Sequence, residues 1–183
     1  MERDATSAGV APGGLYNSAE IKILICYILS RINEAVPGQM LANVLHYEGL
    51  ANCFEVNEAI ASLVESGQLV LDNKEDDTYK ITKSGIDVAN TLQTSVPYTV
   101  KEKGYLAAFK MLSRFKNSKN TEFEIIKEGN KTYINCSALD GDSAFLSVKL
   151  LVGDESQAAA IKNRFLDKSS SIYSGIIDLI TKD

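Results

Sequence analysis

The side chains able to do chemistry are few in this 183-residue chain: three cysteines, Cys26, Cys53 and Cys136, and one histidine, His46. The cysteines are far apart and contain no Cys-x-x-Cys pair, which fits reduced thiols better than a disulfide framework. A Cys/His zinc site would need nearly every available ligand from distant positions, so no metal is expected. Cys53 stands near the start of a helical segment, where a thiol pKa can fall and oxidants can be sensed. A small packed core thiol is the stronger expectation. His46 has no adjacent nucleophile. Asp140-Gly141-Asp142 resembles half a calcium loop, but the closing ligands are missing and a hairpin turn is expected instead. With no Gly-rich phosphate loop either, the expectation is a protein that is not an enzyme and carries no cofactor.

Charge points to binding. The formal net charge of −5 hides an asymmetry: residues 1–95 hold 6 Lys/Arg and 13 Asp/Glu, whereas residues 96–183 hold 13 and 11. That shift, with Pro97 following Thr94, predicts two parts divided at 95/96. The opening MERDATSAGVAPGG is small, polar and Gly/Pro-rich, and residues 1–15 read as a disordered tail. It has no apolar signal-peptide core, and the longest apolar stretch, from Ile21 to Leu29, is too short to span a bilayer. A cytoplasmic location without membrane association is expected. Asn130-Lys-Thr and Asn135-Cys-Ser are therefore chance matches to the glycosylation pattern.

The elements that position these groups follow from spacing. Asn17 with Glu20 makes a capping box, and Ile21, Leu24, Ile25, Ile28 and Ile32 then recur at helical intervals. Pro37 suits the first residue of a second helix bearing Met40, Leu41, Val44 and Leu45. A third helix, Cys53 to Ser66, has Val56, Ile60, Leu63 and Val64 as its inner stripe, and Gly67 as its left-handed cap. Leu69 and Leu71 alternate as a strand answered by Tyr79 and Ile81 across an acidic tip, and Thr82 caps a fourth helix with Ile86, Ala89 and Leu92 inside. Residues 96–183 read as a basic helix, three strands (Thr121–Ile126, Lys131–Ser137, Phe145–Val152) and a long helix capped by Asp154 and Gln157. Ala158, Ile161, Phe165, Ile172, Ile176 and Ile180 form its expected buried stripe. The class expected is α+β.

The stretches "ILICYILSRINEAVPGQMLANVLHYEG", "AIASLVESGQLV" and "TYKITKSG" resemble winged helix-turn-helix transcriptional regulators of the PadR-like and MarR-like kind. They are most similar to a bacterial family of uncharacterised winged-helix proteins with a C-terminal α+β domain. The resemblance covers about residues 15–95 and implies a winged-helix domain over 16–95, followed by an α+β domain over 96–183. It also implies double-stranded DNA as the partner, and a dimer formed through the helix after the wing. The third helix would then lie in the major groove.

Composition opposes that implication. The third helix has no Lys or Arg, and residues 52–77 carry Lys74 against seven acids. DNA affinity comes largely from cations that neutralise phosphates. Asn57 could read adenine with Ser62 in support, while Glu58 and Glu65 flank them. The basic residues cluster instead at Lys101, Lys103, Lys110, Arg114, Lys116 and Lys119, on a helix that also bears Tyr105, Ala108, Phe109 and Leu112. Candidate DNA contacts are accordingly Asn57, Ser62 and Lys74, with Lys110, Arg114 and Lys116 as phosphate contacts. The alternative is a winged-helix module that binds a protein partner and no DNA. The apolar faces of the first helix and of the basic helix predict a homodimer.

Overall fold

The computed structural model describes residues 9–182. The chain is α+β, with two antiparallel three-stranded sheets and a long C-terminal helix. Its two compact units divide at Leu112/Ser113, not at the expected 95/96. The physical reason lies in burial: Val96 and, on the helix that follows Pro97, Val100, Lys101, Gly104, Ala108 and Leu112 are all buried, so the chain past Pro97 still belongs to the first unit.

The first unit is built around α1 (Ser18–Ile32), where Ile21, Leu24, Ile25, Cys26 and Ile28 are fully buried and Ile23, Tyr27 and Leu29 nearly so. A helix buried around most of its circumference must sit centrally. Asn17 caps it by accepting from the Ala19 N–H at 2.8 Å, and Asn33 ends it in the left-handed conformation with φ 54°. Two residues then form a short strand, β1 (Val36–Pro37), before α2 (Gly38–Tyr47) and α3 (Cys53–Glu65). Pro37 thus lies in a strand and at the N-cap of α2, not inside that helix as expected. Missing one N–H, it is tolerated because β1 is an edge strand. Strands β2 (Leu69–Asn73) and β3 (Thr78–Ile81) complete a sheet in the order β1-β3-β2, with Pro37 opposite Thr78 and Leu71 opposite Tyr79. Helix α4 (Lys83–Leu92), a 3-10 turn and the first two-thirds of α5 (Tyr98–Lys119) close the unit.

The turn between β3 and α4 explains a sequence motif. Thr82 Oγ1 accepts from the Gly85 N–H at 3.3 Å and donates to the Gly67 carbonyl at 2.7 Å. The Thr82 N–H in turn donates to the Gln68 carbonyl at 3.0 Å. A Cβ on Gly85 would stand 2.4 Å from that same Gln68 oxygen, so Thr-x-x-Gly is the tie between α4 and the end of α3.

The N-terminal segment departs from the expectation of a disordered tail. Residues 1–8 of the expected 1–15 lie outside the described residues. Beyond them Ala11 N–H donates to the Gly49 carbonyl at 2.9 Å, Leu15 N–H donates to the Leu50 carbonyl at 2.7 Å, and Leu15 is buried. An apolar anchor and two backbone hydrogen bonds outweigh the segment's composition.

The second unit places β4 (Thr121–Glu128), β5 (Lys131–Asp140) and β6 (Ser143–Val152) side by side, with α6 (Glu155–Thr181) across one face. Ile134, Cys136, Ala138, Val152, Ala158 and Phe165 form its core, with Phe123, Leu146, Ile161 and Ile172 packed around them. Asp154 Oδ1 accepts from the Gln157 N–H and Gln157 Oε1 accepts from the Gly153 N–H, both at 2.7 Å. The buried stripe expected along α6 does not reach its end. Past Tyr173, which meets Phe145 edge-on, Leu179 is 84% and Ile180 76% exposed. Helical spacing gives the direction of a side chain but not whether a sheet lies opposite it. Among the described residues no helix is long and apolar enough to cross a membrane.

Candidate functional site

The outer surface of α2 and α3 gathers amide side chains. Gln39 Nε2 donates to Asn43 Oδ1 at 2.9 Å, and both reach the Cys53 sulfur at 3.9 Å. Asn57 Nδ2, one turn along α3, also lies 3.9 Å from that sulfur. Gln39, Asn43 and Asn57 are exposed and Cys53 is half-buried, so the four residues form one open polar cluster. Amides offer a donor and an acceptor side by side, the pattern that pairs with one edge of adenine. Asn57 was visible in the sequence. Gln39 and Asn43 were missed because nothing in the primary sequence says which face of α2 turns toward the start of α3.

Ser62 does not join this cluster. It accepts a hydrogen bond from Lys22 Nζ of α1 at 2.8 Å. Five residues separate it from Asn57, which puts the two about 140° apart around the helix. The exposed face of α3 is instead Phe54, Asn57, Glu58, Ala61 and Glu65, with Phe54 80% exposed. Lys74 is exposed at the hairpin tip beside the exposed Glu75 and Asp77. Lys80 is matched by Asp72 at 2.8 Å. The acid excess of residues 52–77 therefore persists on the folded surface.

The basic run of α5 is largely spent on internal contacts. Lys101 is only 7% exposed, donates to the Gln93 carbonyl at 2.9 Å and sits 5.0 Å above the Tyr27 ring. Lys103 pairs with the Glu48 carboxylate at 3.2 Å and donates to the Glu48 carbonyl at 2.7 Å. Arg114 pairs with Asp167 at 2.9 Å and donates to Asn163 Oδ1 at 3.1 Å. Of the three phosphate-contact candidates, Lys110 and Lys116 are exposed and Arg114 is half-buried in its pair. Beside Lys101, Tyr27 Oη donates to Glu102 Oε1 at 2.6 Å, and Arg31 donates to Tyr27 Oη at 3.1 Å while stacking 4.8 Å over Tyr105. Burial, then the bond to Glu102, raises the Tyr27 pKa. A sequence shows these residues only as charges on a helix. Their pairing across α1 and α5 turns them into structural groups.

The thiols separate by burial. Burial pushes Cys26 up to about 11 and raises Cys136 as well, which leaves both as inert core groups. Cys53, expected as a packed core thiol, is half-buried within the amide cluster.

No curated protein and no solved structure matches the chain. A family model described as a domain of unknown function (DUF4364) matches residues 21–180, which takes in the amide cluster, α5 and nearly all of α6. The chain belongs to the DUF4364 family.

Proposed function

We propose that residues 16–95 form a winged helix-turn-helix and that the protein is a cytoplasmic transcriptional regulator of duplex DNA, acting as a homodimer. The observation that carries this reading is the amide cluster Gln39, Asn43 and Asn57 on the outer face of α2 and α3. It is held by a helix–strand–helix–helix–hairpin order that matches the resemblance to PadR-like and MarR-like regulators. With α3 in the major groove, Asn57 meets a base edge and Gln39 and Asn43 approach from the start of α2. Phosphate contact falls to Lys74 and Lys110, because Lys101, Lys103 and Arg114 are engaged within the chain. Few contacts imply weak, specificity-dominated binding. The test is selection of bound sequences from a random duplex library by the full chain. Enrichment of A·T pairs that vanishes in Asn57→Ala supports the reading, and a pool that stays random overturns it.

A second reading, a winged-helix module for a basic protein partner, is favoured by one specific observation. The face that would meet DNA carries Glu58 and Glu65 together with the exposed Phe54, and Tyr47 at the end of α2 is 91% exposed. An exposed aromatic ringed by acids suits a basic, apolar peptide better than phosphate.

A further inference from the structure

We propose that the second unit holds a binding groove for a small monocarboxylate with an apolar body, lying between the open end of its sheet and the first turns of α6. The groove encloses about 440 Å³, within the range of small-molecule sites. Its existence has a local cause. Ile125 and Ile134 pair across β4 and β5, and Val152 ends β6 on the same face. Between Glu155 and Lys162, the helix passing over them presents the methyls of Ala158 and Ala159. These small side chains cover Ile134 and Val152 but leave the outer strand open, so Ile125 stays 52% exposed beside its buried partner Ile134. A floor of Phe123, Ile125, Ile134 and Val152 takes an apolar body.

The rim determines the other half of the ligand. Lys127 of β4 and Lys162 of α6 line the groove, and neither forms an ion pair among the described residues. Lys162 Nζ sits 5.3 Å above the Phe123 ring, which places its charge over the apolar floor. The acids on the rim are Asp154 and Glu155. The Asp154 carboxylate is committed to the Gln157 N–H as the cap of α6, and both acids stand where the positive end of the helix dipole offsets them. Two ammonium groups without an ion-pair partner among the described residues, above an apolar floor, are complementary to one carboxylate on an aromatic or aliphatic body. This inference concerns the second unit alone and stands whether or not the first unit binds DNA.

The test is a methyl-detected NMR titration of the full chain, labelled at isoleucine and alanine, with three probes of one shape: 1-naphthoate, 1-naphthylmethanol and 1-naphthylmethylammonium. The groove account expects saturable shifts at Ile125, Ile134, Ala158 and Ala159 with 1-naphthoate, and weaker binding of the alcohol and the ammonium. Lys127→Gln with Lys162→Gln should weaken 1-naphthoate roughly tenfold and leave the alcohol unchanged. Ala159→Leu, at an exposed position, should block all three by filling the space. Shifts elsewhere, no saturation with 1-naphthoate at millimolar concentration, or equal affinity for the three probes would overturn the proposal.

Discussion

Replacing Gly85 by alanine is the sharpest test of how the first unit is tied together. Ordinary helix preference would make the change favourable by up to about 1 kcal/mol. The structure reverses that sign. The new Cβ would stand 2.4 Å from the Gln68 carbonyl oxygen and 2.7 Å from Ile81 Cγ1, where ordinary contact begins at 3.4 Å. The first turn of α4 must therefore retreat by about 1 Å, since the nearer atom is backbone and cannot rotate away. Overpacking of this kind costs about 1–3 kcal/mol. The retreat also stretches the bond from Thr82 Oγ1 to the Gly67 carbonyl, adding up to about 1 kcal/mol. The net expectation is a loss of about 2 kcal/mol, read as a lower urea midpoint of the first unit with an unchanged slope. Gly67→Ala is the control: nothing lies within 4 Å of its Cβ, but φ of +72° costs about 1–2 kcal/mol by strain alone. If Gly85→Ala is neutral or stabilising, the tie between α4 and the end of α3 is wrong.

Other expectations follow from the same contacts. Thiol labelling of the native protein at pH 8 should modify Cys53 first. Burial and a pKa of about 11 leave Cys26 about a hundredfold less thiolate than an ordinary thiol near 9, and equal rates at all three cysteines would contradict this. Because Tyr27 is raised in the folded state, its proton is held more tightly there than in the unfolded chain. That contribution is whole below the unfolded tyrosine pKa and disappears as pH rises through the folded value; a Tyr27→Phe variant should lose the difference, which urea midpoints at pH 7 and above 10 will show. The exposed Tyr98, Leu106 and Phe109 on α5 predict a homodimer. Light scattering that returns the monomer mass at tens of micromolar would refute it.

Local order was legible in the sequence wherever a residue's role is set by near neighbours. Asn17, Thr82 and Asp154 cap helices as their types foretold, Asn17 by accepting from the Ala19 N–H where a box with Glu20 was expected, and Gly67 follows the end of α3. The turns at Gly129 and Gly141 join β4, β5 and β6 in the expected order. What escaped was set by distant partners. Strand β1 is two residues long and exists only because β3 lies beside it. Lys101 reads as a surface cation until Tyr27 and the Gln93 carbonyl cover it. Ser62 belongs to Lys22, forty positions away, and so leaves the face it was expected to share with Asn57. The amide cluster needed the packing of α2 on α3, which no periodicity encodes.

The central claim, that this surface meets DNA, is tested most directly by binding of the full chain to random-sequence duplex across a salt series. With Lys74 and Lys110 as the contacts, saturable binding at low salt should weaken with a slope no steeper than about −2 in log–log form. Lys110→Gln should flatten that slope by about one unit, while Glu58→Gln with Glu65→Gln should strengthen binding throughout. Absence of binding even at the lowest salt, in the wild-type chain and in the Glu→Gln variant alike, would contradict the claim and leave the acidic, aromatic face of α3 to a basic protein partner.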